Sequence, residues 1–390
     1  MSWKEISTLV RRLKFVKLAC RGQQSLSQLC RRFGMSRRTG YKWMARFERE
    51  GPRGLRDRTS RPHRSPRQTA PQWLSRIRRL RRRHRRWGSR KLAARLRQEY
   101  PRQAVPSART VGKWLRRMKL NVGHRRRSFR GPPLKRGALT MARRSNQVWT
   151  VDFKGWFRTQ DGQRVDPLTV RDAFSRYILT VRVLAHQNWE STRRVFLRLF
   201  RQNGYPSVIR ADNGGPFGSK GPAGLTRLSA WWTALGIRVE FIEPGHPEQN
   251  GAHEQMHGVL KGDVTRPPSR HPKAQQRRID RWVNTYNRIR PHAALSDRVP
   301  AQVYRPQSAR PRLAPWKYPK GWATRRVRTN GEIRWRGRKR FVGEAFVGYP
   351  VGLKPKERGK SSVYFAALLI GELWDSDSGG MRPATYAPKR

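Results

Sequence analysis

Three carboxylates stand out in a chain that has few. Asp152 lies inside QVWTVDF, a segment that alternates like a strand, and Asp212 ends the short apolar run in IRADNGG. A carboxylate flanked by apolar strand residues is costly to bury unless something compensates it. Glu254 follows the loop PGHPEQNG, and from Ala252 onward the residues suit a helix. Glu254, His257, Gly258 and Lys261 then fall at i, i+3, i+4 and i+7 and share one face. That face is poor material for a core and good material for meeting a metal ion and a phosphate backbone. Three hard oxygen donors from two strand ends and a helix would hold two Mg²⁺ (or Mn²⁺) ions, which keep positions open for water and phosphate. Two such ions activate the attacking oxygen and stabilise the leaving one in an in-line phosphodiester reaction.

The composition names the partner. The 390 residues carry 89 Lys+Arg against 24 Asp+Glu, a formal charge of +65. Such a chain repels itself unless a polyanion neutralises it, and DNA or RNA does so with release of counterions. Ribosomal and packaging proteins share the charge, but they rarely carry 15 Trp with apolar periodicity through most of the length. Cys20 and Cys30 are too few for a four-cysteine zinc site, and both fall at apolar helical positions, so buried free thiols are expected. No signal peptide opens the chain and no apolar run of about 18 residues occurs. The expected place is the cytoplasm, on nucleic acid, with no membrane partner.

The elements that must position the carboxylates come next. Residues 8–20 form an amphipathic helix with Leu9, Leu13, Val16 and Cys20 on one side. Ser25 opens a capping-box pattern before Leu26, Leu29, Cys30 and Phe33, and Gly34 stops that helix. Ser36 caps a third helix whose inner face is Trp43, Met44 and Phe47, and whose start exposes Arg37, Arg38, Thr39, Tyr41 and Lys42. This is helix-turn-helix geometry over residues 1–50, whose last helix enters the major groove. A Pro/Gly/Arg linker, 51–71, leads to a second such unit at 72–120. There Trp73, Leu74, Ile77 and Leu80 line one helix, which runs into the basic stretch Arg81 to Arg86. Its last helix offers Arg109 and Lys113 to DNA. A basic linker, 121–146, follows. From Gln147 three strands, then alternating helices and strands, describe an α/β domain at 147–305 with a five-stranded mixed sheet. After a Pro-rich joint the chain turns β-rich. Asn330-Gly331 signals a hairpin, and a small barrel is expected within 306–390. The expected fold is therefore multidomain: all-α, then α/β, then β.

The segments VWTVDFKGWF, PLTVRDAFSRY, RADNGGPFGSKG, LSAWWTALGIRVEFIEPGHPEQNGAHEQMHGVLK and YNRIRPHAAL resemble the integrase core of bacterial insertion-sequence transposases, the DDE class related to retroviral integrases. The resemblance covers about 147–305, and the helix-turn-helix units before it fit the same layout. It implies an RNase H-like fold, divalent-metal catalysis, cleavage at element ends and strand transfer into a target. Asp152, Asp212 and Glu254 match the catalytic, metal-binding triad. Glu248 stands at a variable loop position and is rejected. Asp172 is read as structural, paired with Arg176, and Asn213 as shaping the loop beside Asp212. His253 and His257 touch DNA or flank the metal, and Lys261 matches a phosphate-contacting position. Where relatives commonly carry Arg or Lys one turn past the glutamate, this chain has Gly258, which removes a cation and loosens the helix. The implied partners are element-end and target duplex DNA and at least one further copy of the chain. The alternative is a degenerate copy that only binds DNA through its helix-turn-helix units.

Overall fold

The computed structural model describes residues 8–59, 69–121, 139–243, 246–307, 316–357 and 359–384. It divides into two compact units, Met1–Thr69 and Ala70–Arg390. Among the described residues no helix is long and apolar enough to cross a membrane.

The first unit is three helices, α1 (Thr8–Cys20), α2 (Leu26–Phe33) and α3 (Arg37–Glu50). Ser25 and Gln28 close the capping box of α2, and Gly34 ends it in the left-handed region at φ 64°. Gly40 lets α3 approach closely, for a Cβ there would lie 2.5 Å from Cys30 Sγ. The buried face of α1 differs from expectation. Phe15 and Val16 are buried, whereas Leu9 and Cys20 are exposed. The two exposed residues sit in the first turn and at the last residue of α1, and the core gathers around its middle. Only Cys30 is a buried thiol. Leu55, beyond the helices, is also buried in this core.

The second unit opens with α4 (Pro71–Arg83), α5 (Ser89–Glu99) and α6 (Ala108–Arg117) around Trp73, Ile77, Leu80, Leu92, Leu96, Val111 and Leu115. The central sheet follows, with β1 (Val148–Phe153), β2 (Phe157–Arg158), β3 (Arg164–Asp172), β4 (Ile178–Leu184), β5 (Val208–Ala211) and β6 (Arg238–Phe241). The order is β2-β3-β1-β5-β6, with β4 on the other side of β3. β1 runs antiparallel to β3 and parallel to β5, so the sheet is mixed as expected, with the short β2 added. Alternation along β1 sorts its side chains. Trp149 and Val151 enter the core beneath α7 (Trp189–Asn203) and α8 (Arg227–Ala234). The other face receives α9 (Gly251–Val264) and α10 (Pro272–Arg288) over Ile178, Val181, Met256, Leu260 and Ile279. The short α11 (Pro300–Val303) closes this part.

The C-terminal part holds β7 (Ala323–Arg326), β8 (Glu332–Trp335), β9 (Arg338–Phe341), β10 (Pro350–Lys356), β11 (Lys360–Phe365), β12 (Leu368–Trp374) and β13 (Arg382–Pro383). It is not the expected barrel. Five strands form an open sheet, β13-β12-β11-β10-β7, and β8 pairs only with β9. Closure would need hydrogen bonds from β13, which has two residues, one of them Pro383 without an N–H. The hairpin is displaced as well. Gly331 turns the chain at φ 80°, but the two-residue hairpin loop is Arg336-Gly337, both at positive φ. The apolar run from Val363 to Leu373 is broken at Ala366, also at positive φ, into β11 and β12. Phe346, Val351, Val363 and Ile370 share a core with Leu225 and Ala230, which seats this sheet on α8.

Candidate active site

Asp152 stands near the end of β1, directly opposite Thr169 of β3. β5 runs parallel beside β1 with Thr150 opposite Arg210, and the same register two residues on brings Asp212 alongside Asp152. Glu254 lies in the first turn of α9 and is exposed. Burial first, then the charge of Asp212 and more weakly that of Glu254, push the Asp152 carboxyl up to about 7. Burial also raises Asp212, against hydrogen bonds from the Gly214 and Asp212 backbone. Asp212 Oδ1 is buried without a hydrogen-bond partner among the described residues. Asn213 ties the loop to the end of β6, donating from Nδ2 to the Ile242 carbonyl at 2.5 Å.

Polar groups under the carboxylates fix α9. The Thr169 hydroxyl donates to the Asp152 carbonyl at 2.8 Å. Its oxygen therefore accepts from Nε2 of both His253, at 2.6 Å, and His257, at 2.7 Å. His253 Nδ1 then accepts from Thr150 at 2.8 Å, so both its nitrogens are used inside the fold. His257 keeps a lone pair on Nδ1, 3.5 Å from Asp152 Oδ2. Burial, then Lys154 and Arg171, hold His257 down to about 3, so this imidazole is neutral near pH 7. Arg171, fully enclosed, donates from Nη1 to the Ala252 carbonyl at 2.6 Å and pins the first turn of α9.

Two acceptors facing each other across 3.5 Å, beside an orphaned carboxylate oxygen, call for a cation or a proton between them. Asp152, His253 and His257 offer one ligand atom each within 4.8 Å of one another. His253 is spent on the two threonines, so the donors free to hold a metal are the carboxylates, with His257 beside them.

The other sequence candidates fall in three places. Arg37, Arg38, Tyr41 and Lys42 are exposed along the start of α3, with Thr39 half-buried and bonded to the cap Ser36. Arg109 and Lys113 are exposed on α6. On α9, Lys261 and Gly258 are exposed, and a Cβ at Gly258 would meet nothing within 4 Å. His257 is turned inward, with its side chain 11% exposed, and flanks Asp152. Asp172 is structural but not through Arg176. Its carboxylate accepts from the Ser175 hydroxyl and backbone and from the Asn146 N–H. Arg176 sits in the left-handed region, one residue past that turn. Sequence reasoning missed Thr169 and Arg171. Their signal was polar residues alternating with Leu168 and Val170 in a strand covered on both faces, where each polar group needs a partner.

Comparison with known proteins matches domains along the chain. Residues 142–247 and 235–300 match integrase core domains. Residues 7–56 and 39–115 match homeodomain-like domains, and 322–375 match the IS481 family transposase C-terminal domain. An insertion element IS136 protein of Agrobacterium fabrum is 32% identical over 181 residues, 43% of this chain and 87% of that one. The chain belongs to the DDE-type transposases of bacterial insertion elements. An IS476 protein of Xanthomonas euvesicatoria is 31% identical over 58% of the chain, and an IS407 protein of Burkholderia multivorans 30% identical over 46%. The chain spans 63% and 62% of the lengths of those two relatives. Among solved structures, the HTLV-2 integrase catalytic core domain in complex with magnesium aligns at 17% identity and a TM-score of 0.34, over 42% of this chain and all of that one. By these family matches the transposase has homeodomain-like helix-turn-helix domains followed by an integrase core.

Proposed function

We propose that this transposase binds the ends of its element, cuts a DNA strand there and joins the freed 3′ end to target DNA. The observation that carries the reading is the half-buried Asp152 carboxyl near the end of β1, pushed up to about 7 by burial first and then by the charges of Asp212 and, more weakly, Glu254. Asp152, Asp212 and Glu254 would hold two Mg²⁺ or Mn²⁺ ions. Such ions supply charge neutralisation for a phosphodiester and an activated water or 3′-hydroxyl, with no covalent enzyme intermediate. The protein's own part is positioning. Thr169 and Arg171 hold the first turn of α9 against β1 and β3, so Glu254 stays near the two aspartates. Neutral His257 keeps an acceptor beside Asp152 and adds no positive charge to compete with a metal. Lys261 meets a DNA phosphate.

In the same reading residues 1–50 and 72–120 recognise the terminal repeats. Arg37, Arg38, Thr39, Tyr41 and Lys42 read DNA from α3, and Arg109 and Lys113 from α6. Residues 51–71 and 121–146 link them to the core at 147–305, and 306–390 hold DNA or a second subunit. Joining two ends needs two active sites, hence at least a dimer on DNA. Incubating the chain with end duplex, target plasmid and Mg²⁺ tests the proposal. Joined products support it. Cutting of RNA–DNA hybrids without joining would instead mark an RNase H-type nuclease.

A further inference from the structure

A large cavity of the second unit lies away from the carboxylates. It is about 710 Å³ and opens between the end of α4 and the far ends of α9 and α10. Eight arginines and a single carboxylate, Asp263, line it. Arg83 ends α4 and Arg86 follows it in the same basic stretch, and Arg266, Arg278 and Arg281 come from the core side. Asp263 is already engaged by Arg86 at 3.6 Å and by Trp282 Nε1 at 3.1 Å. Arg83, Arg266 and Arg281 are exposed and make no hydrogen bond or ion pair with a described residue. A fold that gathers this many like charges from two distant segments leaves repulsion that only an outside polyanion removes. Gly262 belongs to the arrangement, since a Cβ there would lie 2.0 Å from Arg86 Nη1. The field is felt locally. Burial first, then Arg83, Arg95 and Arg290, hold the His84 imidazole down to about 4.

We propose that this cleft grips the phosphate backbone of duplex DNA beside the catalytic site, on the strand path that passes Glu254. Gly262 follows Glu254 on the same helix by about 12 Å along its axis, at 1.5 Å per residue. That reach corresponds to roughly three to four base steps at 3.4 Å each. Between the two lie Gly258, with open space above it, and exposed Lys261, so nothing on α9 blocks the path. The cleft joins the second helical trio and the core in one DNA contact without reading bases. The inference rests on the reading of the chain as a DNA-acting protein, but not on its cutting DNA.

The test therefore uses the full-length chain without metal on a random-sequence duplex of about 30 base pairs. Fluorescence anisotropy over a KCl series compares the natural chain with Arg83→Ala/Arg281→Ala. The control is Arg194→Ala/Arg198→Ala, two exposed arginines of α7 on the opposite face of the sheet. All four replaced positions are exposed, and far-ultraviolet circular dichroism melts check that each form folds. The expected result is a salt slope shallower by about 1 to 2 for the cleft pair, at about 0.9 per lost phosphate contact, and a much smaller change for the control. Equal slopes for the two pairs would overturn the proposal. So would a cleft effect seen with single-stranded RNA and absent with duplex DNA.

Discussion

The third helices of the two helical trios begin nearly alike, Ser36-Arg37-Arg38-Thr39-Gly40 in one and Ser107-Ala108-Arg109-Thr110-Val111-Gly112 in the other. Each serine caps its helix by accepting from the threonine N–H three residues on, at 3.2 Å in both. Each threonine hydroxyl also meets the serine hydroxyl, at 2.9 and 3.1 Å. The surroundings then diverge. The first trio, with Leu55, fills a core of its own within Met1–Thr69. The second is continuous with the catalytic core. Ile289, at the end of α10, packs into it, Gln98 donates to the Asp297 carbonyl, and Arg86 faces Asp263. Local capping chemistry makes the same module twice. Contacts distant in sequence decide whether the module is a unit by itself or part of the machine.

Removing the modules should separate them most strongly. A fragment of residues 1–69 should fold and melt cooperatively alone. A fragment starting at 139 should lose about 2–3 kcal/mol against one starting at 70, since it exposes the Ile289 side, takes Arg90 and Arg97 from Asp297 and takes Arg86 from Asp263. Equal denaturant midpoints for the two longer fragments would show that the second trio is only an appendage. The glycines give the next largest effect, with opposite signs. Gly40→Ala should cost about 1–3 kcal/mol, because its Cβ would strike Cys30 Sγ and sit 3.1 Å from Phe15. Gly112→Ala meets only Ser89, at 3.5 Å, and should gain up to about 1 kcal/mol of helix propensity. Urea melts read both. In binding, Arg38→Ala and Arg109→Ala should each cost about 1–3 kcal/mol at one base pair of an element end, read by competition gel shifts. A uniform loss on all sequences would reduce either residue to a phosphate contact. Ser36→Ala and Ser107→Ala should each cost about 1 kcal/mol, alike in both trios.

A smaller effect belongs to the site. Asp152 is raised in the folded chain above its unfolded value of about 3.8. The native state therefore binds the extra proton, and this group's stabilisation is full below about 4 and lost as pH rises to about 7. Without metal, the stability difference between the natural chain and Asp152→Asn should shift in favour of the variant from pH 5 to pH 8. Mg²⁺ should narrow it at pH 8.

Much of this was legible because the relevant chemistry is local. Ser25, Gly34 and Ser36 announce their caps, and VWTVDF announces a strand by alternation. The carboxylates were visible as charges where apolar strands end. What escaped depended on partners far away in sequence. Leu9 and Cys20 fit a helical stripe, but both lie exposed toward the ends of α1. Thr169 and Arg171 look like ordinary strand residues until α9 is laid on them. The open C-terminal sheet was hidden for the same reason, since closure depends on whether β13 can pair with β7. The arginines at 81–86 read only as a basic stretch because the facing arginines lie some 180 residues later.

The central claim is that Asp152, Asp212 and Glu254 form one metal-dependent centre for DNA strand cutting. The most direct measurement is Mg²⁺-dependent cleavage of element-end duplex by Asp152→Asn, Asp212→Asn, Glu254→Gln and Glu248→Gln, with end binding measured alongside. Each amide keeps the shape and removes the charge that holds the ion. The account predicts that the first three lose cleavage while still binding ends, and that Glu248→Gln cuts nearly as well as the natural chain. Loss of cleavage in Glu248→Gln together with full activity in Glu254→Gln would contradict it.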